Sequence, residues 1–218
     1  MKNKNTLKVI IIALLFISAI VTFINPLYPN ELLLQHIGTL LLVTPLIVDL
    51  RKKYLRLSSF IGIALFTLIH IIGARYIYSY VPYNEWTQTI FNLDINTYFS
   101  LKRNHFDRFV HFSFGVLFFP YFIQLFSKWH GLSFRKMILV AWLAIQAFSM
   151  FYELFEWSLT LLMSSEGAEN YNGQQGDMWD PHKDMALAML GSTMMSFVYL
   201  WKNKKILHKT HVAFKSKA

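Results

Sequence analysis

The sequence contains no cysteine in its 218 residues. This absence excludes disulfide bonds, thiolate metal sites and cysteine nucleophiles. Charged residues are also scarce, at 15% of the chain, whereas 55% of the residues are apolar and 17% are aromatic. Such a composition is atypical of a water-soluble domain, and it predicts a membrane protein.

Several motifs of well-known enzyme classes are missing as well. The chain has no His-Glu-x-x-His run, no phosphate-binding P-loop and no Gly-x-Ser-x-Gly elbow, so the corresponding mechanisms gain no support. The formal charge of +9 does not indicate nucleic-acid binding, because the basic residues lie in short clusters between apolar runs. We therefore predict no nucleic-acid partner.

Apolar segments long enough to cross a bilayer recur along the chain. A span needs about 20 apolar residues, because its backbone must be satisfied within ~30 Å of hydrocarbon. The first segment has the charged start of a secretory signal, but we expect it to be retained, because no small-x-small cleavage site follows before Pro26. The sequence predicts one all-α membrane domain, 1–218, with six transmembrane helices at about 7–24, 31–49, 57–80, 107–126, 136–162 and 184–201.

Lysine and arginine are concentrated at one set of predicted helix ends. Loops that are rich in these residues stay in the cytoplasm, so six spans place both termini there and make 202–218 a basic cytoplasmic tail. Of the 12 acidic residues, only Asp49 falls at a predicted cytoplasmic helix end. The polar chemistry is therefore expected in the outer half. The basic clusters are Lys2, Lys4 and Lys8; Arg51, Lys52, Lys53 and Arg56; Lys128, Arg135 and Lys136; and Lys202, Lys204, Lys205, Lys209, Lys215 and Lys217.

The outer loop 82–106 is long for a connection between neighbouring spans. It places Trp86, Ile90, Phe91 and Tyr98 among polar residues. This pattern predicts an interfacial helix or a lid over the outer end of the bundle, and a plain aromatic anchor at the membrane interface is the alternative.

Ionisable residues of four spans share one predicted depth near the outer surface. Asp107 and His111 are four positions apart, and Glu153 and Glu156 are three apart, so each pair shares one helix face. An ionised carboxylate within a span costs roughly 2.5–3.5 kcal/mol, so these groups should face a partner, a cavity or water.

These residues predict an outward-facing site of acidic, histidine and arginine side chains. Oxygen and imidazole ligands suit Mg, Mn, Ca or Zn, so a divalent cation is one candidate cofactor. The sequence does not identify the cofactor. The candidate catalytic groups are Glu153, Glu156, His111 and Asp184; the candidate ligand-binding groups are Arg75, Arg108, His70 and Asp177; the candidate metal ligands are Asp107, His111, Glu153, Glu156 and Asp184.

Each candidate also has a structural interpretation. The two glutamates could pair with Arg75 or Arg108 and only fasten helices, and each histidine could be a hydrogen-bonded core residue. Asp180 stands before Pro181, which is typical of the N-cap of a helix. Asp184 lies about one turn later, where the positive end of the helix favours an acid.

Four stretches resemble the YjdF-type inner-membrane family of bacterial proteins: HIIGARYIY at 70–78, RNHFDRFVHFSFG at 103–115, YELFEW at 152–157 and GQQGDMWDPHKDMALAMLG at 173–191. This resemblance implies a multi-pass protein of the bacterial cytoplasmic membrane. The pattern is similar in turn to that of VanZ-like membrane proteins, with departures at Arg108, where that family has Lys, and at Ala188, where it has Asn. The positions that match are Asp107, His111, Glu153 or Glu156, Asp184 and Gly191.

Three functions are compatible with this pattern. The first is a site that binds or acts on a lipid, a polyprenyl phosphate or another envelope precursor at the outer leaflet. The second is a noncatalytic scaffold or regulator whose polar cluster fastens the helices. The third is an ion-coupled transporter that uses the glutamate pair, but the inner halves of the spans are expected to hold almost no buried ionisable group, so no polar route across the membrane is predicted. Whether the protein is an enzyme, and its oligomeric state, stay open.

Overall fold

The structure is a computed structural model that describes residues 2–129 and 132–215, with the side chains of all of these except 2–4, 166, 170 and 204–215. The described residues form helices and connecting turns and contain no strand, which confirms the all-α prediction. The helices are α1 (Lys2–Val21), α2 (Pro29–Lys52), α3 (Leu57–Arg75), α4 (Tyr83–Phe91), α5 (Ile95–Tyr98), α6 (Phe106–Phe126), α7 (Phe134–Thr160), α8 (Ser165–Asn172) and α9 (Asp180–Lys215).

Within the described residues, four helices are long and apolar enough to cross a membrane: α2, α3, α6 and α7. They coincide with four of the six predicted spans. The apolar part of α1 covers Asn5–Val21 and is shorter, and the apolar part of α9 is limited by Asp184 and Lys202. The first and last spans and the cytoplasmic placement of the termini therefore stay predictions. Helix α9 continues through most of the predicted tail, and residues 216–218 of that tail lie outside the described residues.

Helix α6 lies at the centre of the bundle, where it packs against α3, α7 and α9. Glycines allow its backbone to approach its neighbours. A Cβ on Gly62 of α3 would lie 2.6 Å from the carbonyl oxygen of Leu117, and one on Gly115 of α6 would lie 2.8 Å from Ser192 N. A Cβ on Gly191 of α9 would collide with the Phe112 carbonyl oxygen. Small residues at helix contacts are typical of membrane bundles, and here they hold α9 directly against α6.

A buried ion pair joins α1 to α2 at the end of the bundle where α3 begins. Lys8 Nζ lies 2.5 Å from Asp49 Oδ2, and it also donates to the Leu55 carbonyl oxygen at 3.3 Å. Asp49 is 1% exposed, and its other oxygen accepts from Leu55 N at 2.6 Å. This pair is an exception to the expected scarcity of buried ionisable groups in this half of the bundle, and it makes Lys8 a structural partner as well as part of a basic cluster.

Helix α3 is shorter than the predicted span 57–80. It ends at Arg75, and the chain turns through residues 76–80. Ile77 and Tyr78 have φ angles of 41° and 56°, which are uncommon for bulky residues. These φ angles are compensated by contacts of Tyr78. Its ring lies so close to Gly73 that a Cβ on Gly73 would be 2.8 Å from a ring atom, and its hydroxyl forms a hydrogen bond with His70. The turn therefore places the Tyr78 side chain in the core.

The loop 82–106 contains the two short helices α4 and α5. Asp94 caps α5 by accepting from Thr97 N at 2.9 Å, and the hydrogen bonds from Thr97 lower the pKa of Asp94. Ile90, Phe91 and Tyr98 are each about 70% exposed. A helix with this exposed apolar surface suits a membrane interface, and the interfacial role stays a prediction.

Candidate functional site

Arg103 and Asp180 form a two-pronged ion pair at the end of the bundle that carries α4, α5 and α8. Arg103 Nη1 and Nη2 donate to the two carboxylate oxygens of Asp180 at 2.6 and 2.8 Å. The same two nitrogens donate to the carbonyl oxygens of Gln174 and Gly173 at 2.8 and 3.0 Å. Asp180 is 2% exposed. It therefore does not cap the backbone of α9 as its position before Pro181 predicts: its carboxylate is taken by an arginine from the loop before α6.

A second set of ion pairs surrounds this one. Arg108 Nη2 donates to Asp177 Oδ2 at 2.6 Å and to Asp180 Oδ1 at 3.1 Å. Lys183 Nζ also donates to Asp177 Oδ2 at 2.6 Å. We call Arg103, Arg108, Lys183, Asp177 and Asp180 the rim. It holds three cations and two carboxylates, so its net charge is positive.

Asp177 makes the rim sensitive to strong acid. The hydrogen bond from Lys183, followed by those from Trp179 N and Arg108, outweighs burial and lowers the pKa of Asp177 to about 2. A lowered folded-state pKa contributes stability that is complete above the unfolded value of ~3.9 and is lost as the pH falls through the folded value. We expect the difference in Tm between wild type and Asp177→Asn to be constant above about pH 5, to shrink as the pH falls and to be largely lost near pH 2, measured in an acid-stable detergent. A difference that persists unchanged at pH 2 would contradict this assignment.

Below the rim, four ionisable side chains from three helices meet in the core. Asp107 and His111 come from α6, Glu153 from α7 and Asp184 from α9, and all four are at most 8% exposed. His111 Nε2 lies 3.3 Å from Glu153 Oε1 and 3.8 Å from Asp107 Oδ1. Asp107, His111 and Asp184 each offer a ligand atom within 4.8 Å of the others. We call these four residues the acidic cluster.

The acidic cluster is poorly compensated by the protein. Among the described residues, no lysine or arginine forms an ion pair with Glu153 or Asp184. Glu153 Oε1 and Asp184 Oδ1 are buried and have no hydrogen-bond partner in the described part of the chain. Buried polar oxygens are nearly always satisfied, so these two call for an explanation.

Glu156 shares a face of α7 with Glu153, but it is not among the residues whose ligand atoms meet, Asp107, His111 and Asp184. The Glu156 carboxyl group interacts with the Tyr152 hydroxyl, which also interacts with Tyr171 of α8. The Tyr152 ring in turn lies 5.9 Å from the ring of His111. Glu156 therefore belongs to a tyrosine-lined wall beside the acidic cluster.

Two of the predicted site residues, Arg75 and His70, lie outside the rim and the acidic cluster. Arg75 Nη2 donates to the carbonyl oxygens of Asn25 and Ile24 at 2.9 and 3.3 Å and so fastens the turn after α1. The predicted alternative, in which Arg75 or Arg108 neutralises the glutamate pair, does not occur among the described residues. Both arginines are instead committed to other oxygens.

His70 is a hydrogen-bonded core histidine. Its Nε2 lies 3.1 Å from the Gln35 carbonyl oxygen, which can only accept, so Nε2 donates and Nδ1 accepts from the Tyr78 hydroxyl. Tyr78 packs against Phe106, next to Asp107. His70 is thus separated from the acidic cluster by Tyr78.

An open groove of about 590 Å³ lies between the first turns of α6 and α9. Its polar end is formed by His105, Arg108 and Lys183. Burial first, and then Arg108 and Arg103, lower the pKa of His105, so this ring is neutral at pH 7. The apolar end consists of Phe109, Phe112, Ala186 and Leu187. We call this feature the α6–α9 groove.

Three residues of the site were not predicted from the sequence. Arg103, Lys183 and Tyr152 were not singled out as site residues, although all three lie within the four stretches that carry the family resemblance. Their partners are distant in sequence: Arg103 meets Asp180 across 77 positions. A helical pattern reports only neighbours within one or two turns, so these pairings had no local signal.

Comparison with known proteins places the chain in a family. The family model described as "Predicted membrane protein (DUF2238)" matches residues 7–205. The chain belongs to the DUF2238 family. The match covers most of α1, the bundle and the apolar part of α9, so this DUF2238 protein is an integral membrane protein. The rim and the acidic cluster lie within the matched residues.

A curated relative supports the same assignment. The DUF2238 protein is 29% identical over 163 residues to the inner membrane protein YjdF of Escherichia coli (strain K12), and the match covers 73% of each chain. This confirms the predicted resemblance to the YjdF-type family. No solved structure matches the chain. The similarity to VanZ-like proteins stays a prediction.

Proposed function

We propose that this DUF2238 protein is a multi-pass protein of the bacterial inner membrane that binds a phosphate-bearing amphiphile, such as a lipid phosphate, a prenyl phosphate or another envelope precursor, at its outer surface. The location is supported by the name of its relative, an inner membrane protein. The outward position of the rim rests on the positive-inside rule, because the basic clusters of the sequence fall at the other helix ends.

The single observation that carries this proposal is the α6–α9 groove. Its cationic end and its apolar end follow one another along two helices, as the head and the chain of an amphiphile do. Arg108 and Lys183 provide the positive charge, and guanidinium and ammonium groups are the usual partners of phosphate. Phe112, about one turn beyond Arg108 along α6, and Phe109, which directly follows Arg108, offer apolar contact for an acyl or prenyl chain.

Helix geometry favours an anion at the same place. Both α6 and α9 begin beside the groove, at Phe106 and Asp180. The first turns of helices carry unpaired N–H groups and a partial positive charge, which stabilise a bound anion. The excess positive charge of the rim adds to this effect, because its two carboxylates balance only two of its three cations.

A noncatalytic scaffold is the second candidate, and a specific observation favours it. Arg103 and Asp180 are the most buried charges of the rim, and Arg103 also donates to two backbone carbonyl oxygens. These contacts join the loop before α6 to the start of α9, so a purely structural role accounts for both charges. A transporter has less support. At the opposite end the described residues offer only one buried ion pair, Lys8–Asp49, and its charges neutralise one another.

The proposal predicts selective binding of a phosphate lipid. Purified full-length protein in mild detergent should bind dioleoyl phosphatidate at least about tenfold more tightly than dioleoyl phosphatidylcholine, as measured by native mass spectrometry, because a hydrogen bond to a charged group contributes about 1.5–3 kcal/mol. Lys183→Gln and Arg108→Gln should each weaken phosphatidate binding about tenfold.

Lys102→Gln is the matched control. Lys102 is an exposed lysine in the loop just before Arg103, so its replacement changes net charge equally without altering the groove. Equal binding of the two lipids, or equal losses in Lys102→Gln and Lys183→Gln, would refute the groove. Unchanged lipid binding combined with a lowered Tm in Arg108→Gln would favour the scaffold.

A further inference from the structure

We propose that the acidic cluster is a binding site for one divalent first-row transition ion, with Asp107, His111 and Asp184 as ligands and Glu153 beside His111. This site is distinct from the α6–α9 groove and does not depend on lipid binding.

The geometry suits a single ion. Two ligand atoms that each lie ~2.1 Å from one metal can be at most ~4.2 Å apart. The distance from His111 Nε2 to Asp107 Oδ1, 3.8 Å, falls within this limit. The ligand atoms of Asp107, His111 and Asp184 lie within 4.8 Å of one another, so a contraction of about half an ångström closes the set around an ion.

The second observation is the pair of unsatisfied oxygens. Asp184 Oδ1 and Glu153 Oε1 belong to side chains that are 2% and 6% exposed, and neither has a hydrogen-bond partner in the described part of the chain. Glu153 Oε1 faces His111 Nε2 at 3.3 Å without the alignment of a hydrogen bond. An ion held by Asp107, His111 and Asp184 would accept the lone pair of Asp184 Oδ1 and would place positive charge near Glu153, so it would compensate the buried oxygens.

Charge balance points the same way. The cluster gathers three carboxyl groups, and Glu156 stands one turn away. The nearest guanidinium groups are already engaged: Arg103 and Arg108 donate to Asp180 and Asp177. A divalent cation supplies the missing positive charge at the point where the carboxyl groups meet.

The ligand set selects the class of ion. Carboxylates alone suit Mg²⁺ and Ca²⁺, whereas an imidazole among carboxylates suits Zn²⁺ or Mn²⁺. The supports are rigid, because α9 is held against α6 by Gly115 and Gly191, and this contact sets the position of Asp184 relative to His111. Glu156 is not included, because it does not belong to the set of ligand atoms that meet.

The test uses the full-length protein in mild detergent, with any histidine tag removed, stripped with EDTA and dialysed against Zn²⁺ or Mn²⁺. We expect about one ion per chain, retained on desalting. Asp184→Asn and His111→Gln should weaken binding by at least about tenfold, because even the loss of an outer-shell partner costs ten- to a hundredfold in metal proteins. Asp94→Asn, which removes an acid from the outer loop, and Lys183→Gln, which alters the groove, should bind the ion as wild type does.

Wild-type protein that retains neither ion, or equal affinity in wild type and Asp184→Asn, would overturn the proposal. If the variants of the acidic cluster fail to fold, the Tm of the wild-type protein tests the proposal. EDTA should lower its Tm, and Zn²⁺ or Mn²⁺ should restore it, because an ion that binds only the folded state stabilises that state. A Tm that responds to neither treatment would overturn the proposal as well. Ion binding without phosphatidate binding would leave this site standing and refute only the groove.

Discussion

Replacing Arg103 with methionine is expected to lower the free energy of unfolding by about 3 kcal/mol, because removing one partner of a buried ion pair leaves an uncompensated charge. Asp180, which is 2% exposed, loses both prongs of the guanidinium and keeps only Arg108 at 3.1 Å. The carbonyl oxygens of Gly173 and Gln174 lose their donors at the same time. Unfolding in mixed micelles of a mild detergent and SDS measures the change.

Two further variants make this prediction specific. Lys102→Met removes a neighbouring exposed cation and should change the free energy of unfolding by less than about 0.5 kcal/mol. Adding Asp180→Asn to Arg103→Met removes the stranded charge, so the double variant should be less destabilised than the sum of the two single ones. Strict additivity, or a loss in Arg103→Met no larger than in Lys102→Met, would contradict the buried pair.

Replacing Gly191 with alanine is expected to cost about 1–3 kcal/mol through overpacking. The added Cβ collides with the Phe112 carbonyl oxygen and lies 3.2 Å from Val116 N. Both obstacles are backbone atoms of α6, so the conflict is relieved only if α9 moves away. Such a shift separates Asp184 from His111, and the affinity for Zn²⁺ or Mn²⁺ should fall along with the stability.

Gly38→Ala serves as the matched control. A Cβ there meets only the His70 ring, at 3.3–3.4 Å, and a side chain shifts more easily than a backbone. Its cost in free energy of unfolding should be well below that of Gly191→Ala, with metal binding unchanged. Equal stability of Gly191→Ala and wild type in the same micelles would mean that α6 and α9 do not approach as closely as the structure has them.

The fold class was accessible from the sequence, because hydrophobic length reports directly on membrane helices. Four of the predicted spans coincide with long apolar helices. The error at the end of α3 has a physical cause: residues 76–80 are apolar and aromatic enough to continue a helix, and only contacts with Gly73 and His70 favour the turn. Composition carries no record of such contacts.

The candidate site was accessible in part. Helical spacing correctly places Glu153 and Glu156 on a buried face of α7, and Asp107 and His111 on a buried face of α6. It does not rank the basic residues as partners. Arg75 and Arg108 were equal candidates for the glutamates, whereas the structure commits Arg75 to the turn after α1 and Arg108 to the rim.

The sequence by itself determined that this is a helical membrane protein with its acids concentrated toward one set of helix ends, because hydropathy and charge act over whole segments. Only the tertiary structure decided which charges meet. Asp180 looked like a helix cap and is an arginine partner, while Asp184 looked like an acid at a helix start and is a buried group with an unpaired oxygen. The physical reason is that ion pairing and ligation depend on distances of a few ångströms between separate helices, and these distances are set by how closely glycines let the backbones approach.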